Sequence, residues 1–211
     1  MISVAENLRE TAGQAEHKAH DLARPGRYAV SAMLAGAYIG IGEVLLLVAV
    51  SPFVAEHAAA ARLLEGAVFP VALTIVMFAG AQLFTSNVMV MLLGALSGRT
   101  GVKDLVGSWV LSLGGNLVGA FAFGAMVHAS GVLSAPSARA MLAELVVGFE
   151  HGVANMALFS LAILDGTAGF GDLGRSLLFT VPGNIVGGGA LVACTYWFTG
   201  RPDRASDSSY E

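Results

Sequence analysis

The chain has 211 residues, 55% hydrophobic and 12% charged, with a mean hydropathy of +0.72. A soluble domain carries roughly 25% charge, so composition excludes an ordinary soluble globule and points to an integral membrane protein; nothing resembles a basic nucleic-acid-binding patch. The net charge of −4 resides in loops and tails, the 27 glycines suit helices packed closely in lipid, and the single Cys194 excludes an intrachain disulfide.

The first 27 residues are polar and lack an apolar leader segment. Ile2, Ala5, Leu8, Ala12, Ala15, Ala19 and Leu22 recur at intervals of three or four, so 1–27 predicts an amphipathic helix at the membrane surface, ended by Arg24-Pro25-Gly26. A first span follows at 28–50, interrupted by Glu43, which is expected to face the bundle interior or a subunit contact. The run 66–96 would reach about 46 Å as one helix, and its middle, GAQLFTSN (80–87), is polar. Two half-helices around a short unwound segment explain both facts, because irregular backbone at that depth must be buried in protein or line a cavity.

After a loop at 97–105, a third span at 106–127 contains GNLVGA (115–120). Weakly polar residues at 129–138 lead into an apolar run at 140–164 that holds Glu144, Glu150, His151 and Asn155. A loop at 165–175, a last span at 176–198 containing GNIVGG (183–188) and a polar tail at 199–211 complete the chain. The stretch GFEHGVANM (148–156) carries the chemistry. A charged group at a helix centre in lipid costs roughly 2.5–3.5 kcal/mol on insertion scales, so ionisable residues there mark functional sites by default. From the residues alone, His151 is equally a pore group or a hydrogen-bonded core histidine.

Two halves repeat. TSNVM (85–89) pairs with GVANM (152–156), and GNLVGA pairs with GNIVGG; Asn87 and Asn155, like Asn116 and Asn184, lie 68 positions apart. Paired interrupted segments of this kind point to a substrate path in transporters. The second half has no room for a leading span, so five candidate spans stand where symmetry asks for six, with repeat 1 at about 28–128 and an incomplete repeat 2 at about 138–198.

The segments AGAYIGIG (35–42), GAQLFTSNVM (80–89), GNLVGA, GFEHGVANM and GNIVGGG resemble the formate/nitrite transporter family, with SAMLAGAYIGIG closer to the nitrite branch. The resemblance implies an all-α membrane protein with an aquaporin-like inverted repeat and two broken helices, here lacking the fourth span and the start of the fifth. It implies a homo-pentamer in a bacterial inner membrane that passes a small monovalent weak-acid anion, nitrite or formate, with protons, using no cofactor or metal and performing no enzymatic reaction. The pore residues carried over are His151, Thr85, Asn155 and Asn184, with Leu83 and Phe84 as constriction residues. Glu150, Gln82, Asn87 and Asn116 take supporting positions. Gln82 stands where the family has an acid, and Glu144 where it has a bulky apolar residue. A family-like orientation keeps both termini inside, in keeping with Arg9, Lys18, Arg24, Arg27, Arg99 and Lys103. The absent span also supports the alternative of a truncated, non-conducting relative.

Overall fold

The computed structural model describes residues 3–54, 58–146 and 151–201, and over these the chain is helical, without a strand. Helix α1 (Val4–Leu22) starts where the Ser3 hydroxyl accepts the Glu6 N–H at 3.2 Å, and its apolar stripe is buried on protein. Leu8 packs with Leu93 and Ala193, and Ala15 with Val90 and Met91.

The frame of the bundle is the crossing of α2 (Pro25–Val54) and α6 (Val102–Ser130). Small residues set how closely these helices approach. A Cβ on Gly36 would collide with the Asn116 carbonyl, and one on Gly119 with the Met33 carbonyl. Backbone therefore meets backbone, the packing that small faces allow between membrane helices.

Between these two helices the chain breaks. After α3 (Ala58–Val68), α4 (Pro70–Ala79) opens on a proline at its first turn and is stopped by Gly80, whose φ of +63° is costly for any residue with a Cβ. Ala81–Leu83 are unwound, and α5 (Phe84–Leu96) leaves at 52° to the incoming Leu63–Ala79 segment. This is the expected broken helix. The half-helix ahead of His151 is α7 (Pro136–Leu145), ten residues opening on proline as α4 does, followed by α8 (Gly152–Leu164). The last segment is one long helix from Phe170 to Gly200: α9 (Phe170–Asn184), a π-helical stretch (Ile185–Ala193) and α10 (Cys194–Gly200).

Three helices among the described residues are long and apolar enough to cross a membrane, Pro25–Val54, Val102–Ser130 and Phe170–Gly200, or four if the bent pair is counted as one span. The segment expected as a fifth, 140–164, is divided into α7 and α8 of 10 and 13 residues. A 13-residue helix covers only about 20 Å.

The register of 68 recurs throughout the fold. Helices α5 and α8 begin and end 68 positions apart, as do the starts of α6 and α9 and the left-handed turns at Gly98 and Gly166. The Asp104 carboxylate accepts the Gly101 N–H at 2.9 Å, and Asp172 accepts that of Gly169 at the same distance.

Candidate functional site

The unwound backbone at 81–83 is partly satisfied by its neighbours, with Ala81 N–H donating to the Val76 carbonyl and Leu83 N–H to that of Ala81. A single carboxamide ties the Gln82 carbonyl and the Phe84 N–H that follows. Asn116 is fully buried on α6; its Oδ1 accepts the Phe84 N–H at 2.9 Å, and its Nδ2 donates to the carbonyls of Gln82 at 3.0 Å and Ala32 at 2.7 Å. Asn116 thus ties the break to α2. In the other half, Asn184 Oδ1 accepts the Gly152 N–H at 2.9 Å, the same bond 68 positions on. These two N–H groups open α5 and α8. Replacing Asn116 by Ala orphans a buried N–H and at least one buried carbonyl, at about 1–3 kcal/mol each. We expect Asn116→Ala to lower the melting temperature in detergent well beyond Asn184→Ala; equal losses would contradict the tie.

The two breaks meet at Thr85 and His151, where Thr85 Oγ1 and His151 Nε2 are 3.1 Å apart. His151 is the N-cap of α8, and its Nδ1 accepts the Ala154 N–H at 3.2 Å. An accepting Nδ1 fixes the neutral tautomer with the proton on Nε2, which therefore donates to Thr85. The N-termini of α5 and α8 lie at this same point, and each brings the positive end of a helix dipole. Such a centre favours an anion.

A cavity lies on either side. Thr85, Leu83, Gln82, Lys18, His17 and Asp21 line one of about 650 Å³. His151, Asn155, Glu43, Glu65, Phe69 and Leu145 line the other, of about 410 Å³. Leu83 is 3% exposed and Phe84 1%; Leu83 reaches the first cavity, whereas Phe84 is packed in the core with Ile39, Val88, Val153 and Met156.

Of the remaining expected residues, Gln82, Asn87 and Asn155 are held in hydrogen-bond chains, Gln82 and Asn155 while also lining a cavity. Gln82 Oε1 accepts Lys18 Nζ at 2.8 Å and Asn87 Nδ2 at 3.4 Å; Asn87 Nδ2 also donates to the Tyr28 hydroxyl at 2.9 Å, which lies 2.6 Å from Ser108 Oγ. In the second half, Asn155 Nδ2 donates directly to Ser176 Oγ at 2.9 Å, without an intervening tyrosine. Ser176 corresponds to Ser108 at the same offset, and Tyr28 belongs to the helix that the second half lacks. Glu150, with 147–149, lies outside the described residues. Glu144 is exposed on α7, so Leu145 rather than Glu144 faces the cavity. Arg139 is paired with Asp165 at 3.1 Å.

Sequence reasoning missed Lys18 as a lining residue. Its only signal was a lysine three positions after Ala15, beside the apolar stripe of α1. Burial pulls its ammonium from the usual 10.5 down to about 8, partly offset by Asp21. It remains mostly cationic near neutral pH.

A bundle of apolar helices with a broken segment and a buried polar centre between two cavities defines a multi-pass membrane protein built around a passage. Residues 5–147 and 140–198 match the formate/nitrite transporter family. The chain is 30% identical to the probable formate transporter of Methanothermobacter thermautotrophicus, over 82% of this chain and 89% of that protein. It is 27% identical to the nitrite transporter NirC of Escherichia coli (strain K12), over 80% of this chain and 82% of that one. Among solved structures, an FNT family ion channel superposes with a TM-score of 0.77 at 25% identity, covering 92% of this chain and 98% of the other. The chain belongs to the formate/nitrite transporter family, whose members are transporters of small anions and not enzymes. Alignment to the Methanothermobacter protein runs over 243 positions against 211 residues here, so that relative carries residues this chain lacks. The two family-matching segments overlap at 140–147, near the start of the second half.

Proposed function

We propose that the chain passes a small monovalent weak-acid anion, formate or nitrite, through a proton-linked pore centred on His151. The observation that carries this reading is the Thr85–His151 contact of 3.1 Å, where the two breaks, two helix N-termini and two cavities converge. A bare anion pays a large desolvation penalty in an apolar passage, and neutralisation lowers it. The anion gathers at the Lys18 side and meets the imidazolium form of His151. The Nε2–H bond breaks, the proton joins an anion oxygen, and neutral imidazole and neutral acid remain. Charging the ring puts a proton on Nδ1 and gives up the Ala154 hydrogen bond, a cost of about 1 kcal/mol. Once Nε2 has given its proton to the anion, the remaining proton sits on Nδ1, and a proton from cavity water at Nε2 restores the imidazolium for the next anion. The constriction is formed by Leu83, backed by the core-packed Phe84 rather than shared with it, with Asn155 and Asn184 alongside the path.

The halves form an inverted repeat within a domain at 28–198, α1 lies at the membrane surface, and five protomers assemble in a bacterial inner membrane. The shared 68-residue register and the 80% and 90% exposure of Met77 and Phe78 support this arrangement, since such side chains suit lipid or a neighbouring protomer. The relatives bear both formate and nitrite names, so uptake of each anion into proteoliposomes under an inward proton gradient decides the substrate. We expect uptake of one anion, inhibited by the other.

One observation favours a second reading, a non-conducting relative. Gly183 and Gly187, the counterparts of Gly115 and Gly119, meet nothing within 4 Å where the first pair packs on α2. Purified chain that carries neither anion would replace the transport reading by this one.

A further inference from the structure

Glu43 has no part in the pathway described so far. It is the only charged residue of α2 beyond Arg27 and is 3% exposed, yet it lines the same cavity of about 410 Å³ as His151. That volume holds several waters, each occupying about 30 Å³ in the liquid. Of the elements around the cavity, α3 contributes the carboxylate of Glu65, and α8 contributes Asn155 just after the His151 cap; the residues from α7 and from the start of α4 are Leu145 and Phe69. The titratable groups facing it, among the described residues, are therefore Glu43, Glu65 and His151. The opposite cavity carries Lys18, His17 and Asp21 instead. The passage thus has a cationic lysine at one mouth and two carboxylates beyond the histidine.

We propose that Glu43 is the proton acceptor and donor for substrate on the His151 side of the pore. This rests on the transport reading above. Neutral acid that has passed His151 enters the cavity and gives its O–H proton to the Glu43 carboxylate. The acid's O–H bond breaks and its electron pair stays on the departing anion. A new O–H bond forms on Glu43, which then passes the proton to cavity water and returns to carboxylate. Glu43 and Glu65 repel the released anion, so it leaves outward rather than returning to the histidine. Transport in the other direction runs the same steps reversed, with Glu43 protonating the entering anion. General acid–base groups placed in this way typically contribute 10²–10⁴-fold to proton transfer.

The test is formate and nitrite flux in proteoliposomes, read as a pH profile for the native chain, Glu43→Gln, Glu43→Asp and His151→Ala. Glu43→Gln is expected to lose at least about tenfold in rate and to flatten the pH profile, while Glu43→Asp restores both rate and profile. A Glu43→Gln rate lowered by one factor at every pH, with the profile intact, would mark a structural role and overturn the proposal. So would native-like flux in Glu43→Gln with flux lost in His151→Ala, an outcome that leaves the transport reading standing. Absence of flux from the native chain removes both. Labelling of the native chain with dicyclohexylcarbodiimide, which attacks protonated carboxyls in apolar settings, is a second measurement that needs no variant. Modification at Glu43 that falls as pH rises is expected, and an unmodified Glu43 across the pH range contradicts the relay.

Discussion

Replacing His151 by Ala or Phe is expected to reduce proton-linked anion flux at least about a hundredfold and to remove its pH dependence. Among the described residues, His151 is the only titratable residue at the junction of the two breaks, 3.1 Å from Thr85. Neither replacement can take up a proton, and each also removes the Nδ1 acceptor that caps the Ala154 N–H. Loss of a cap costs about 1 kcal/mol, too little to unfold the bundle. His151→Asn separates the two effects, since a carboxamide oxygen can cap α8 yet cannot carry a proton. Flux should remain lost in His151→Asn while the melting temperature returns toward that of the native chain. Full activity in any of the three variants would remove His151 from the mechanism.

Gly119→Leu is expected to destabilise the protein severely, by about 3 kcal/mol or more, and Gly187→Leu to change stability by no more than about 0.5 kcal/mol. The two glycines occupy the same register position in their halves. At Gly119 the space for a Cβ is already filled by the Met33 backbone carbonyl, which cannot swing away as a side chain could. At Gly187 nothing lies within 4 Å. Melting in detergent, compared with Gly119→Ala and Gly187→Ala, measures the contrast. Matching losses in the two halves would mean that the second glycine face is covered after all.

The broken helix was legible in the sequence because GAQLFTSN is a polar island in a run too long for one crossing. The repeat was legible because its two Gly-Asn motifs keep one spacing. Span ends were read too far in: α6 begins at Val102 and α9 at Phe170, each opened by a Gly-x-x-Asp capping turn that pattern reading assigned to loops. The π-helical stretch Ile185–Ala193 leaves no mark in hydrophobic periodicity. At the site, His151 and Thr85 were identified and lie 3.1 Å apart, but the particular bonds that the asparagines make were not readable. Asn116 and Asn184 hold backbone N–H groups at the helix starts, and Asn87 joins a buried chain from Lys18 to Ser108. Those partners are up to 80 residues apart in sequence, and only tertiary packing brings them together.

The direct Asn155–Ser176 bond has a consequence for how this family can change. In the first half a tyrosine from the leading helix stands between the matching asparagine and serine; in the second, the two polar groups close on each other and neither is stranded. Loss of a whole helix is thereby absorbed among the polar groups at one side-chain contact and leaves Gly183 and Gly187 uncovered. The cap bonds, the left-handed turns and the lengths of α5 and α8 keep their count. The short connection at 131–135, between Gly131 and the Pro136 that opens α7, is then a natural graft point. A segment carrying the Tyr28, Ala32, Met33 and Gly36 pattern could enter there and meet Ser176, Gly183 and Gly187 in the register that the first half already demonstrates.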